Sequence, residues 1–123
     1  MARKDDLAIE ALSALAHPAR LAIFRLLVKA GKGGMAAGDI GRKLDSLPNT
    51  LSANLSVLSD AGLVSSQRDG RSIIYNARYS QMSQLLGYLM EDCCNGAPEI
   101  CAPIADVLAR AACCVPKAAR ARA

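Results

Sequence analysis

The sequence predicts a mainly α-helical fold carrying a β-hairpin wing, a winged helix-turn-helix that assembles as a homodimer. Three observations predict it. Two short amphipathic segments are joined by the tight turn Asp45-Ser46-Leu47-Pro48, and two extended stretches around Asp69-Gly70 follow at once. A later helical stretch, residues 80–92, then presents an apolar face broad enough to need a partner helix.

Each element has its own justification. Residues 5–16 carry Leu7, Ala8, Ala11, Leu12 and Leu15 at helical spacing. His17-Pro18 breaks that pattern, and proline suits the first turn of a new helix, so two helices meet at His17. In the second helix Leu21, Phe24, Leu27 and Val28 form an apolar stripe, with Arg20, Arg25 and Lys29 off it, and Gly31, Gly33 and Gly34 end it. The spacing predicts a third helix over 36–44, with Ile40 and Leu44 on one face and Arg42 and Lys43 exposed. A fourth runs from 48 or 49 to 61, its buried face repeating as Leu51, Leu55 and Leu58. Gly62 closes it. Residues 63–68 and 71–75 read as strands flanking the two-residue turn Asp69-Gly70. Met82, Leu85, Leu86, Leu89 and Met90 make the apolar face of the fifth helix. Gly96, Pro98 and Pro103 bend the chain beyond it, and a last, weak helix covers 103–114.

Composition narrows the function. A chain of 123 residues makes one domain and a tail, short of most enzyme folds. One His, followed by Pro18, offers no base beside a nucleophile, so a capping or packing role is expected of it and catalysis is not. No apolar run reaches membrane-spanning length and the first residues lack a signal-peptide core, which predicts a cytoplasmic protein without a membrane partner. Net charge is +4, and residues 14–78 hold nine Lys and Arg against four Asp and Glu. That segment suits a polyanion, and operator DNA is the expected partner.

In this fold the fourth helix reads bases. Opposite Leu51, Leu55 and Leu58 lie Asn49, Ala53, Ser56 and Asp60, flanked by Thr50 and Ser52. Asn49, Thr50, Ser52, Ala53 and Ser56 are the candidates for contact with DNA, and the short polar ones near the helix start for reading base edges. No Lys or Arg occurs between Lys43 and Arg68, so phosphate attraction falls to Arg42, Lys43, Arg68 and Arg71, with Arg20 and Arg25 as further contributors.

Three blocks resemble the ArsR/SmtB family of metal-responsive repressors: residues 14–27 (ALAHPARLAIFRLL), residues 51–64 (LSANLSVLSDAGLV) and residues 68–75 (RDGRSIIY). The resemblance covers about residues 7–92 and implies a homodimeric repressor whose grip on DNA falls when an inducer binds. Two departures stand out. Asn54 occupies a position where many members have His, and residues 35–40 lack the Cys-x-Cys of arsenic sensors that bind at the third helix. With His17 the sole histidine, the family's His/Asp zinc sites at the fifth helix are absent as well.

All five cysteines fall behind this module, as Cys93-Cys94, Cys101 and Cys113-Cys114. An odd number of thiols in a reducing compartment points to metal or redox chemistry instead of a disulfide framework. Three thiolates without an imidazole suit a soft, thiophilic ion such as As(III) or Sb(III). Adjacent cysteines on a regular helix diverge by about 100°, so a shared ion requires the fraying that Asn95-Gly96 permits. The chain looks like the family subset that binds As(III) through a Cys-Cys pair and a third Cys after the fifth helix, which implies Cys93, Cys94 and Cys101 as ligands. Cys113 and Cys114 remain additional thiols, for packing, a second ion, a methylated arsenical or a tetrathiolate Cd(II) or Zn(II) site. The expected organisation is residues 1–92 for DNA binding and dimerisation, 93–114 for thiol-based metalloid sensing and 115–123 as a disordered tail. Two alternatives stay open: a redox- or Cd(II)/Zn(II)-sensing repressor of the same fold, and an arsenic-binding or interaction module without a DNA role.

Overall fold

The computed structural model describes residues 4–90 together with Ala102, Pro103, Asp106 and Val107. The chain divides into two compact units, Met1–Tyr88 and Leu89–Ala123. The elements run α1 (Lys4–Leu15), α2 (Pro18–Ala30), a 3-10 turn (Gly31–Gly33), β1 (Met35–Ala36), α3 (Ala37–Leu44), α4 (Pro48–Asp60), β2 (Val64–Asp69), β3 (Ser72–Ala77) and α5 (Tyr79–Leu89).

The junction of α1 and α2 is local chemistry. His17 takes extended backbone angles as the N-cap of α2, Pro18 fills the first helical position, and the His17 Nδ1 accepts from the Ala19 amide at 3.2 Å. Arg20 then ties the two helices together, its Nε donating to the Ala14 carbonyl at 2.6 Å near the end of α1. At the other end of α2 the Val28 carbonyl accepts from both the Gly31 amide and the Tyr79 hydroxyl, which fastens the start of α5 to α2.

The core is aliphatic, as a chain with one Phe and no Trp requires. Ile23, Phe24 and Leu27 from α2, Ile40 from α3, Leu51, Leu55 and Leu58 from α4, and Leu63, Val64 and Ala77 around the sheet form one cluster with Ala11 and Ala14 of α1. Gly41 lets α3 and α4 approach closely, since a Cβ there would touch Leu51 at 3.4 Å. The turn between them bends through Asp45, the C-cap of α3 at φ 51°. The end of α4 is a Schellman motif: Gly62 sits at φ 79°, its amide donates to Ser59, and the Leu63 amide donates to Leu58.

Two sheet features differ from the sequence expectation. The antiparallel sheet has three strands in the order β1-β3-β2, because Met35 and Ala36 pair with Tyr75 and Ile74. Residue 36 therefore belongs to β1 and α3 starts one residue later. The wing turn is also shifted by one residue: Asp69 pairs with Ser72, leaving Gly70-Arg71, not Asp69-Gly70, as the two-residue turn. Gly70 has φ 64° and Arg71 is not at positive φ, the handedness of a type II′ turn. Packing at the wing root sets this register, with Val64 opposite Ala77 on the buried face and the Arg78 amide donating to the Leu63 carbonyl.

Candidate nucleic-acid interface

α4 is anchored by one side and open on the other. Leu51, Leu55 and Leu58 are buried, while Asn49, Thr50, Ser52, Ala53 and Ser56 are all exposed, so the structure brings the five predicted reading residues onto the solvent-facing surface of one helix. Asn54 is not among them. It is 7% exposed and lies on the buried side, so the departure from His at that position leaves the outward surface untouched.

The predicted phosphate-binding cations flank this helix on separate elements. Arg42 and Lys43 are exposed in the last turn of α3, beside a cleft of about 430 Å³ whose opposite wall is β1 and Ile74. Arg42 pairs with Asp39 one turn earlier, an exposed i,i+3 ion pair that a phosphate can compete for. Arg68 is exposed on β2, and the shifted turn puts Arg71 at the wing tip. Arg20 belongs elsewhere, since its Nε is bound to Ala14 and it lines a cleft with Asp6, Glu10 and Asp60 at the far end of α4. At the first turn of α4, Arg42 and Asp45 share a cleft with Pro48, Leu51 and Ser52, and at its last turn Arg20 shares one with Asp60.

Sequence reasoning missed one residue of this edge. Leu47, the N-cap of α4, is 74% exposed, makes no side-chain cap and stands directly before Asn49 and Pro48 at the tip of the helix. Its signal in the sequence was an apolar residue at a position where Ser, Thr, Asn or Asp is usual. The predicted thiol ligands Cys93, Cys94 and Cys101, and the additional thiols Cys113 and Cys114, lie outside the described residues. Among the described residues no group of three His, Cys, Asp or Glu is placed to hold a metal ion.

Comparison with known proteins agrees with this geometry. A helix-turn-helix domain family model matches residues 15–67. The chain is 39% identical over 79 residues to the uncharacterized HTH-type transcriptional regulator Rv0081 of Mycobacterium tuberculosis, covering 63% of this chain and 66% of that protein, just under two thirds of its length. It is 36% identical over 88 residues to the biofilm growth-associated repressor of Agrobacterium fabrum, covering 72% of this chain and 71% of the relative. Among solved structures, NolR from Sinorhizobium fredii superposes with a TM-score of 0.56 at 36% identity, over 71% of this chain and 84% of that one. The homodimeric winged helix-turn-helix domain of Mb0332 from Mycobacterium bovis, described as a possible ArsR-family regulator, gives 0.56 at 29% identity over 71% and 80%. A chain described as a possible transcriptional regulator for arsenical resistance gives 0.58 at 25% identity over 79% and 95%.

Fold, exposed reading helix and wing define a winged helix-turn-helix regulator. The chain belongs to the ArsR-type helix-turn-helix transcriptional regulators.

Proposed function

We propose that this chain is an arsenic-responsive repressor of the cytoplasm, whose homodimer holds operator DNA and lets go when As(III) or Sb(III) binds Cys93, Cys94 and Cys101. The observation that carries the DNA half is the outward face of α4, exposed from Asn49 to Ser56 and flanked by Arg42, Lys43, Arg68 and Arg71. Two recognition helices about one DNA turn apart require a two-fold dimer. Exposed Leu7 and Leu12 on α1 and Leu86 on α5 supply apolar surface for that pairing, and the Mycobacterium bovis neighbour is described as homodimeric.

The thiol half rests on sequence chemistry and on the arsenical-resistance description of one structural neighbour. The cysteine trio begins four residues after α5 ends. Closing a ring of sulfurs there pulls on the end of the pairing helix and changes the spacing of the two recognition helices. A coupling of about 1–3 kcal/mol lowers affinity roughly 5- to 150-fold, enough for derepression.

Titrating a fluorescent-DNA complex with As(III), Sb(III), Cd(II), Zn(II) and peroxide tests both halves. Release by As(III) and Sb(III) alone supports the proposal. Release by peroxide without metal supports the redox repressor, and release by Cd(II) or Zn(II) the tetrathiolate one. A chain that binds arsenite but no duplex is an arsenic-binding module.

A further inference from the structure

Of the four cations proposed to meet phosphate, one is already held by a carboxylate. Lys43, Arg68 and Arg71 are exposed and make no ion pair among the described residues. Arg42 is paired with Asp39 one turn back on α3, although 76% of its side chain and 50% of that of Asp39 face solvent. Its guanidinium lies back over the first turn of the helix, where a Cβ on Gly38 would stand 3.7 Å from Nη1. Helical side chains lean toward the N-terminus, so a carboxylate at residue 39 is well placed to catch it.

The pair does little to hold the fold. An exposed i,i+3 pair is weak, and α3 is anchored by buried Ile40. Its position bears on DNA instead. Asp39 lines the cleft between α3 and β1 together with Arg42 and Lys43, and it is the one carboxylate among the described residues there. A phosphate that approaches those two cations must displace Asp39 from Arg42 and then lie beside its charge. On its other side Arg42 borders the cleft at the first turn of α4, with Pro48, Leu51 and Ser52. The cation stands between the wing-side cleft and α4, and Asp39 sets where it points.

We infer that Asp39 is a built-in competitor for the phosphate contact of Arg42, holding the guanidinium in the free protein and weakening the grip on DNA. Phosphate contacts carry no base information, so this brake acts on operator and unrelated duplexes alike. It keeps the bound state within reach of an inducer whose coupling is worth about 5- to 150-fold. The inference rests on the placement of Arg42 against phosphate proposed above, and the test separates the two.

Anisotropy titrations of operator and unrelated duplexes compare the native full-length protein with Asp39→Asn, Asp39→Glu, Arg42→Ala and the double variant Asp39→Asn/Arg42→Ala. Helical circular dichroism is the check that each variant folds. An exposed pair is worth about 1.4- to 5-fold per protomer, so Asp39→Asn strengthens binding of the dimer to both duplexes about 2- to 30-fold. The gain is larger at low salt, where the pair is less screened. Asp39→Glu keeps a carboxylate one turn from Arg42 and keeps native affinity. Asp45→Asn removes a neighbouring carboxylate without touching the pair, at a left-handed position that Asn tolerates, and gains less. In the Arg42→Ala background the gain from Asp39→Asn falls to that of Asp45→Asn. A gain that is the same without Arg42, or equal to that of Asp45→Asn, marks general repulsion and overturns the inference. So does Asp39→Asn binding no more tightly while Arg42→Ala binds more weakly, which leaves Arg42 on the phosphate. Arg42→Ala with native affinity and salt dependence removes Arg42 from the phosphate and this inference with it.

Discussion

Removing one guanidinium from the wing tip by Arg71→Ala should change how DNA binding responds to salt far more than it changes the protein. Arg71 is the second residue of the Gly70-Arg71 turn, exposed, and makes no ion pair among the described residues. Truncating it removes no core contact, so the melting temperature should hold within the scatter usual for surface changes, about 0.5 kcal/mol. The binding effect is larger. If Arg42, Lys43, Arg68 and Arg71 of both protomers each meet a phosphate as proposed, the contacts number about eight, and each contributes about 0.9 to the slope of log affinity against log salt, about 7 in all. The variant dimer loses two contacts and about 1.8 of that slope. Between 50 and 200 mM salt the native complex should weaken about 10⁴-fold and the variant only about 10³-fold.

Fluorescence anisotropy of an operator duplex across a KCl series measures both slopes. The variant binds more weakly at low salt, and its line converges on the native one as salt rises. Parallel lines would show that Arg71 touches no phosphate. They would also remove the argument that the shifted turn aims this side chain at DNA.

Gly34→Ala should cost about 2–4 kcal/mol in urea unfolding, because a Cβ at φ 70° would run into the Tyr75 carbonyl and the Asn76 amide; a loss under 1 kcal/mol would contradict that crossing. Leu86→Lys puts a charge on the exposed apolar face of α5 and should shift sedimentation from dimer toward monomer while the helical circular dichroism is kept; an unchanged dimer would place the pairing surface elsewhere. Replacing Cys93, Cys94 or Cys101 singly with Ser should abolish arsenite-induced release and leave operator affinity intact, whereas a full response in all three variants would end the thiol proposal.

The helices were legible because each is written in repeating apolar positions that tertiary packing then uses. Leu51, Leu55 and Leu58 both define α4 in the sequence and anchor it in the core. β1 was not legible, since two residues have no period, and Met35-Ala36 is a strand only through pairing with Tyr75 and Ile74 some 40 positions away. The wing turn was misplaced by one residue for a related reason. Asp-Gly is a strong local hairpin signal, but the register is fixed at the other end of the hairpin, where Val64 meets Ala77. Within the site, the exposed set on α4 followed from helical geometry alone. The fate of Arg20 did not, because its bond to Ala14 depends on how α1 folds back across α2.

The placement of charge also constrains how any inducer can act. α4 cannot be retracted within a protomer without breaking Leu51, Leu55 and Leu58 out of a shared core with Ile23, Leu27 and Ile40. Truncating one such leucine costs about 2–5 kcal/mol, at or above the 1–3 kcal/mol typical of allosteric coupling. Rearranging several at once exceeds it. α3 and the wing, which carry the cations proposed to meet phosphate, are fixed to the same core through Ile40, Val64 and Ala77. Reading helix and cations therefore move as one body. The less costly degree of freedom is the relation between protomers, and α5 has no buried residue of its own, packing on the core through half-buried Tyr79, Met82 and Leu85 and tied to α2 by the Tyr79 hydroxyl. A sensor acting at the end of α5 would shift the spacing of two intact readers instead of disabling either. An isolated half-site should then bind the liganded and the free protein with equal, weak affinity, while the two-half-site operator distinguishes them. Measuring both duplexes with and without arsenite decides it, and a half-site that loses affinity on liganding would put the change inside the protomer.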